Sequence, residues 1–133
     1  MVVDASVIVA MYRPDEVGHQ RALDWFGSFG PESEPILAPS LLISEVASGL
    51  QRAFDDPDLV LRAVSSLLAD PRLRLVPVGN TLAFHAADVA ARLGMFGCDA
   101  IYVALAQDRG ERLISLDRRQ IERARAVIEA QEP

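Results

Sequence analysis

Residues 99 to 117 read DAIYVALAQDRGERLISLD, and this stretch decides the fold. From Asp99 through Gln107 it predicts a helix that is apolar on nearly every face: Ala100, Ile101, Tyr102, Val103, Ala104, Leu105 and Ala106. A helix without a polar face must be covered all round, so this one lies at the centre of the molecule. Leu113 to Ser115 then forms a short strand that delivers the chain to Asp117. Working outward, Arg118 to Ala130 reads as an amphipathic helix with Ile121, Ala124 and Ile128 inward. Upstream, Asn80 or Thr81 caps a helix that stops at Gly94, and Leu73 to Val78 is a strand. Asp56 and Pro57 supply the cap and first-turn proline of a helix ending before Asp70-Pro71, while Pro39 and Ser40 open another over Leu41 to Phe54. Ile36 to Ala38 is a minimal strand. The glycines and prolines from Gly27 to Pro35 forbid regular structure, and a helical pattern carrying Val17, Ala22, Leu23, Trp25 and Phe26 precedes them. Met1 to Val3 is a buried strand ending at Asp4; the run Ala5 to Tyr12 either extends it or starts a helix, and periodicity does not decide between these. Strands alternating with helices predict an α/β fold, with a short central parallel sheet between two helical layers.

The 133 residues, half of them hydrophobic, suffice for one core, so residues 1–133 are expected to form a single domain. No apolar run approaches the roughly 20 residues of a membrane span. The fourth residue is already acidic, unlike the start of a secretory signal. A lone cysteine, Cys98, cannot form an internal disulfide, and a cytoplasmic location is expected. The net charge of −6 argues against diffuse electrostatic binding of nucleic acid, so a polyanionic substrate has to be captured locally. All 13 basic residues are arginine. The absence of lysine excludes Walker-type phosphate binding, Schiff-base catalysis and lysine-centred phosphotransfer.

In a parallel sheet, ligands bind beyond the carboxyl ends of the strands where strand order reverses. Asp4 follows Val2-Val3, and Asp117 follows Leu113 to Leu116, so both carboxylates are expected at that edge. Each is also placed to cap the helix after it, as is Asp99 at the start of the most apolar helix. Glu45 shares a helical face with Leu41, Leu42, Val46 and Gly49, which puts a charge among buried groups. Without lysine, its partner is an arginine or a cation. Four acids gathered in apolar surroundings repel one another unless a positive charge lies between them. Mg²⁺ or Mn²⁺ suits an all-oxygen site and bridges carboxylates to phosphate oxygens, which points to phosphodiester hydrolysis.

The segments Val2 to Ser6, Pro39 to Ala47, Cys98 to Ala106 and Leu113 to Asp117 resemble, in order, the four signature stretches of PIN domains. The similarity spans essentially the whole chain and is greatest to the VapC toxins of bacterial and archaeal toxin-antitoxin pairs. The resemblance implies a PIN-like, Rossmann-like topology and a Mg²⁺- or Mn²⁺-dependent endoribonuclease, with Asp4, Glu45, Asp99 and Asp117 as catalytic metal ligands. It further implies a homodimer and an antitoxin partner that drives a basic or aromatic segment into the acidic site. Ser6 and Ser115 match family hydroxyl positions beside the metal. Position 115 is serine where threonine is commoner, and the chain ends soon after its last helix, where relatives often add a strand.

Other residues read as structural. Asp88 falls off the apolar face of its helix and is solvated. His19 and His85 lack metal-ligand spacing, and Cys98 reads as a small buried thiol, a poor partner for Mg²⁺. Arg13, Arg52, Arg118 and Arg119 are near enough in sequence to hold RNA phosphates. Trp25 and Phe26 suit core or dimer packing. Among rival functions, a metal-dependent adhesion module needs serine at position 8, which is Ile8, and a phospho-acceptor receiver needs a lysine. A PIN fold that binds RNA or protein without cutting remains the alternative, which all four acids argue against.

Overall fold

The parallel sheet grows outward from two buried dipeptides. The computed structural model describes residues 1–30 and 32–133; Pro31, within the expected loop, lies outside the described residues. The strands are β1 (Val2–Val3), β2 (Ile36–Pro39), β3 (Leu73–Val76), β4 (Leu113–Ile114) and β5 (Ala130–Gln131), paired in parallel in the order β3-β2-β1-β4-β5. The helices among the described residues are α1 (Ala5–Met11), α2 (His19–Gly27), α3 (Leu42–Phe54), α4 (Pro57–Leu68), α5 (Asn80–Leu93), α6 (Gly97–Arg109) and α7 (Arg118–Ala124). No single one of them is long and apolar enough to cross a membrane.

This topology explains the layers. The chain moves from β1 to β2 to β3, then reverses across the sheet to β4 and β5. With right-handed crossovers, the first direction puts α1 to α4 on one face and the second puts α5 to α7 on the other. The packing agrees: α1 meets α2 and α3, α3 meets α4, and α6 lies between α5 and strands β1, β2 and β4. The switch in direction falls between β1 and β4, where connections leave toward opposite faces. The α/β fold with helices flanking a parallel sheet is therefore as expected, and so is the burial of α6, whose Ala100 and Tyr102 through Ala106 are at most 1 % exposed.

Several boundaries differ. The helix expected over Arg118 to Ala130 stops at Ala124, and the chain turns back to form β5. The reason is the open edge of β4, whose backbone groups need partners: the Leu113 N–H donates to Glu129 O at 2.9 Å and the Ser115 N–H to Gln131 O at 3.0 Å. Ladder pairing outweighs the helical pattern of this tail, and β5 completes the sheet edge. The run Ala5 to Tyr12 is helical, since Asp4 caps it. Neither Asn80 nor Thr81 caps α5; the cap is Gly79, in extended conformation, with no side-chain bond. Strand β3 ends at Val76 because Pro77 has no N–H for the ladder. Val17 is 97 % exposed, since α2 begins after it, and Cys98 is exposed in the first turn of α6 rather than buried.

One close approach sets the spacing of α1 and α3. A Cβ on Gly49 would lie 2.7 Å from Val9 Cγ2. Gly49→Val is expected to force the two helices apart and destabilise the protein by about 1–3 kcal/mol, measured as a lower urea midpoint at unchanged m-value.

Candidate active site

The loop after β1 is built around Asp4. Its backbone is extended (φ −84°, ψ 155°) and its N–H donates to Ile114 O at 2.9 Å, which ties β1 to β4. Asp4 Oδ2 accepts the Ser6 N–H at 2.9 Å and the Ser115 hydroxyl at 3.4 Å; Oδ1 accepts Gln120 Nε2 at 3.3 Å. The carboxylate is therefore buried and also serves as the cap of α1.

The loop after β4 is laced to it by hydroxyls. Ser6 Oγ accepts the Leu116 N–H at 3.0 Å, Ser115 Oγ accepts the Asp117 N–H at 2.9 Å, and the two hydroxyls stand 3.4 Å apart. Asp117 Oδ1 in turn accepts the N–H groups of Arg119 and Gln120 at 2.8 and 3.1 Å and caps α7. For Asp4 and Asp117 the capping and site positions are thus the same position, since a helix that starts at a strand's carboxyl end needs its acceptor there.

Glu45 projects from the first turn of α3 and is half-buried. Among the described residues the partner of its carboxylate is not an arginine: the Tyr102 hydroxyl donates to Glu45 Oε2 at 2.6 Å. Burial raises the Glu45 carboxyl above its ordinary range, the Tyr102 hydrogen bond partly offsets this, and Asp4 adds to the rise. Burial also pushes the Tyr102 phenol upward, and Asp4 and Glu45 push the same way, so it stays a donor.

Asp99 is not a helix cap. Helix α6 begins two residues earlier, with Phe96 at the cap position, so the Asp99 side chain is free in the first turn. Burial, and after it the charges of Asp4, Asp117 and Glu45, push its carboxyl up to about 6 against Arg123, which draws it down. Asp4, Glu45, Asp99 and Asp117 line one cavity of about 600 Å³ together with Ser6, Arg13 and Arg52.

The upward shift of Asp99, due first to burial and then to the neighbouring acids, has a measurable sign. Its carboxyl binds a proton more tightly folded (about 6) than at its ordinary 3.8, so the native state holds the extra proton and stability falls as pH rises between these values. In chelator-treated protein, Asp99→Asn is expected to remove a loss on the order of 1 kcal/mol between about pH 4 and pH 7, discounted for solvent screening because the group is only half-buried. Urea midpoints of parent and variant across that range check it; identical pH slopes would show that the Asp99 carboxyl is not raised in the folded protein.

Of the other residues weighed, Arg13 lines the cavity but is paired with Asp15 and Glu16, and Arg52 lines it while donating to Ser48 Oγ at 2.6 Å. Arg119 borders an adjoining cleft beside Asp99 and Asp117, whereas Arg118 is exposed and faces Glu132. Asp88 pairs with Arg92 at the surface, His85 with Asp108, and His19 Nδ1 lies 2.8 Å from Ala10 O; none of Asp88, His85 and His19 lines the cavity. Phe26 is buried, with the Arg72 guanidinium 4.2 Å over its ring. Tyr102, Gln120 and Arg123 were not anticipated as site residues. Tyr102 reads as one more apolar position in α6, and Gln120 is legible only through its place one turn before Ala124 on the inward face of α7.

The donor set around the cavity is all oxygen and its acids repel one another, which fits a hard divalent cation. Among the described residues no three carboxylate, imidazole or thiol groups converge closely enough to enclose a bare ion.

Residues 1–126 match the PIN domain family, and the chain belongs to it. Its fold is shared with solved toxin-antitoxin proteins at low sequence identity. The VapC20 toxin of Mycobacterium tuberculosis, described as cleaving the sarcin-ricin loop, superposes with a TM-score of 0.80 at 17 % identity, covering 99 % of this chain and 98 % of that one. FitAcB from Neisseria gonorrhoeae gives 0.73 at 18 % identity, covering 99 % and 96 %. DNA-bound VapBC from Salmonella typhimurium gives 0.71 at 16 %, covering 98 % and 96 %. A search of curated protein sequences finds no match.

Proposed function

We propose that this chain is a Mg²⁺- or Mn²⁺-dependent endoribonuclease that cleaves phosphodiester bonds in single-stranded or loop RNA. The carrying observation is the gathering of Asp4, Glu45, Asp99 and Asp117, from four separate segments, around one cavity at the switch point of the sheet. When bound, the cation would lower the pKa of a water and offset charge developing on the phosphate. Asp4, Glu45, Asp99 and Asp117 would hold it. Tyr102 orients Glu45, while Ser6 and Ser115 fix the two loops that carry Asp4 and Asp117. Arg52, at the cavity wall, is the group placed to meet a substrate phosphate.

The membership in the PIN family and the VapC20, FitAcB and VapBC folds support a toxin of a toxin-antitoxin pair, acting in the cytoplasm as a homodimer and held by an antitoxin protein. Purified protein is expected to cut single-stranded RNA with Mg²⁺ or Mn²⁺, to stop completely in excess EDTA and to recover when metal is restored. Cleavage that persists in EDTA would refute the metal requirement, and binding without cleavage would turn the reading to an RNA- or protein-binding module. Expression of the chain alone is expected to arrest bacterial growth, and co-expression of a cognate antitoxin to relieve that arrest.

A further inference from the structure

Gln120, like Tyr102, is a buried polar side chain beyond the expected site that touches a site carboxylate. It is 2 % exposed, on the face of α7 that also buries Ile121 and Ala124. A glutamine in so apolar a place costs free energy unless its carboxamide is satisfied. Its Nε2 donates to Asp4 Oδ1 at 3.3 Å, while its Oε1 is buried with no protein partner. The orientation is fixed by Asp4, because turning the amide over would set an oxygen against the carboxylate. The helix start fixes the rest: the Gln120 backbone N–H donates to Asp117 Oδ1 at 3.1 Å, so the residue that caps α7 also aims Gln120 at Asp4.

The lone pairs of Asp4 can be counted. A carboxylate offers about four acceptor sites, two on each oxygen. The Ser6 N–H and the Ser115 hydroxyl occupy Oδ2, and Gln120 occupies one site on Oδ1. One acceptor site on Oδ1 is left, on a carboxylate that lines the acidic cavity. We propose that Gln120 is a positioning residue: its carboxamide holds the Asp4 carboxylate at a single rotation and leaves one Oδ1 lone pair for a divalent cation. Gln120 also lines a cleft of about 40 Å³ with Asp99 and Asp117, next to the cavity that Asp4 faces.

This inference rests on the metal-dependent reading of the site. Its test is Mn²⁺ binding by the free protein, followed by electron paramagnetic resonance without RNA, so that the readout is independent of turnover. Gln120→Met keeps the length of the side chain and removes the amide; Gln120→Asn keeps the amide and withdraws it from Asp4. Both are expected to fold, by circular dichroism and thermal midpoint, and to bind Mn²⁺ about tenfold or more weakly than the parent, the usual loss when a group supporting a metal ligand is removed. Unchanged Mn²⁺ affinity in a folded variant, with the parent binding normally, overturns the role of Gln120 alone. A parent that binds no Mn²⁺ at millimolar concentration overturns the metal-dependent reading and this inference with it. If Gln120→Met does not fold, Gln120→Asn decides.

Discussion

Asp4→Asn is expected to lower RNA cleavage at saturating Mg²⁺ by roughly a hundredfold or more, while the protein stays folded. The loss follows from charge. Asp4 is the most enclosed of the four acids, and an amide oxygen holds a hard divalent cation far more weakly than a carboxylate does. Folding survives because the geometry around position 4 accepts an amide. An asparagine oxygen still receives the Ser6 N–H, and its NH₂ would face Gln120, whose unpartnered Oε1 can be brought round to accept it. Removing one of the like charges around Asp99 also relieves repulsion, so the chelator-treated variant should unfold no earlier than the parent. The comparison to make is kcat/KM on one RNA alongside a thermal midpoint. A variant that keeps more than a tenth of parental activity would take Asp4 out of the site, and with it the carboxylate at the switch point on which the proposed mechanism depends.

The second large effect joins the core to the site. Tyr102 is the largest of the fully buried side chains, at 0 % exposed, and its hydroxyl reaches Glu45. Tyr102→Ala should cost about 3–5 kcal/mol, because the ring's transfer free energy is lost and a cavity opens inside α6, where the neighbours on both sides belong to the sheet and α5. That is a large part of the roughly 5–15 kcal/mol that holds a domain of this kind together. Tyr102→Phe separates the two roles, since it keeps the ring and removes only the donor. It should cost about 1 kcal/mol of stability and leave Glu45 free to rotate, lowering activity more than stability. Urea denaturation of both variants, with cleavage assays on the phenylalanine variant, checks this. Equal losses of stability in the two variants would show that the hydroxyl, not the ring, carries the contribution.

These predictions start from residues of very different legibility. Asp4 and Asp117 can be placed from sequence because each ends an apolar strand, and a strand's carboxyl end is a definite location in a parallel sheet. Their double use as caps is also readable, since the residue that ends such a strand precedes a helix. Asp99 is harder: local pattern makes it a cap, and only the start of α6 at Gly97 frees its carboxylate for the cavity. Glu45 announces itself as a charge on an apolar face, yet the Tyr102 hydroxyl that meets it is not legible from sequence, because a tyrosine inside an apolar run gives no sign of where its hydroxyl points. Cys98 shows the opposite error, a small apolar-looking residue that the first turn of α6 leaves exposed.

The sequence by itself determined the alternation of strands and helices, the burial of the 99–107 helix, and which acids stand at strand ends, because all of these follow from the local spacing of apolar and polar residues. Tertiary structure alone decided that residues 130–131 become a strand rather than the end of a helix, that Tyr102 and Gln120 serve the acids, and that Asp99 is pushed up to about 6. The physical reason is range. An open strand edge, a hydrogen bond between groups 57 or 116 residues apart, and repulsion among carboxylates from four segments exist only once the sheet has brought those segments together.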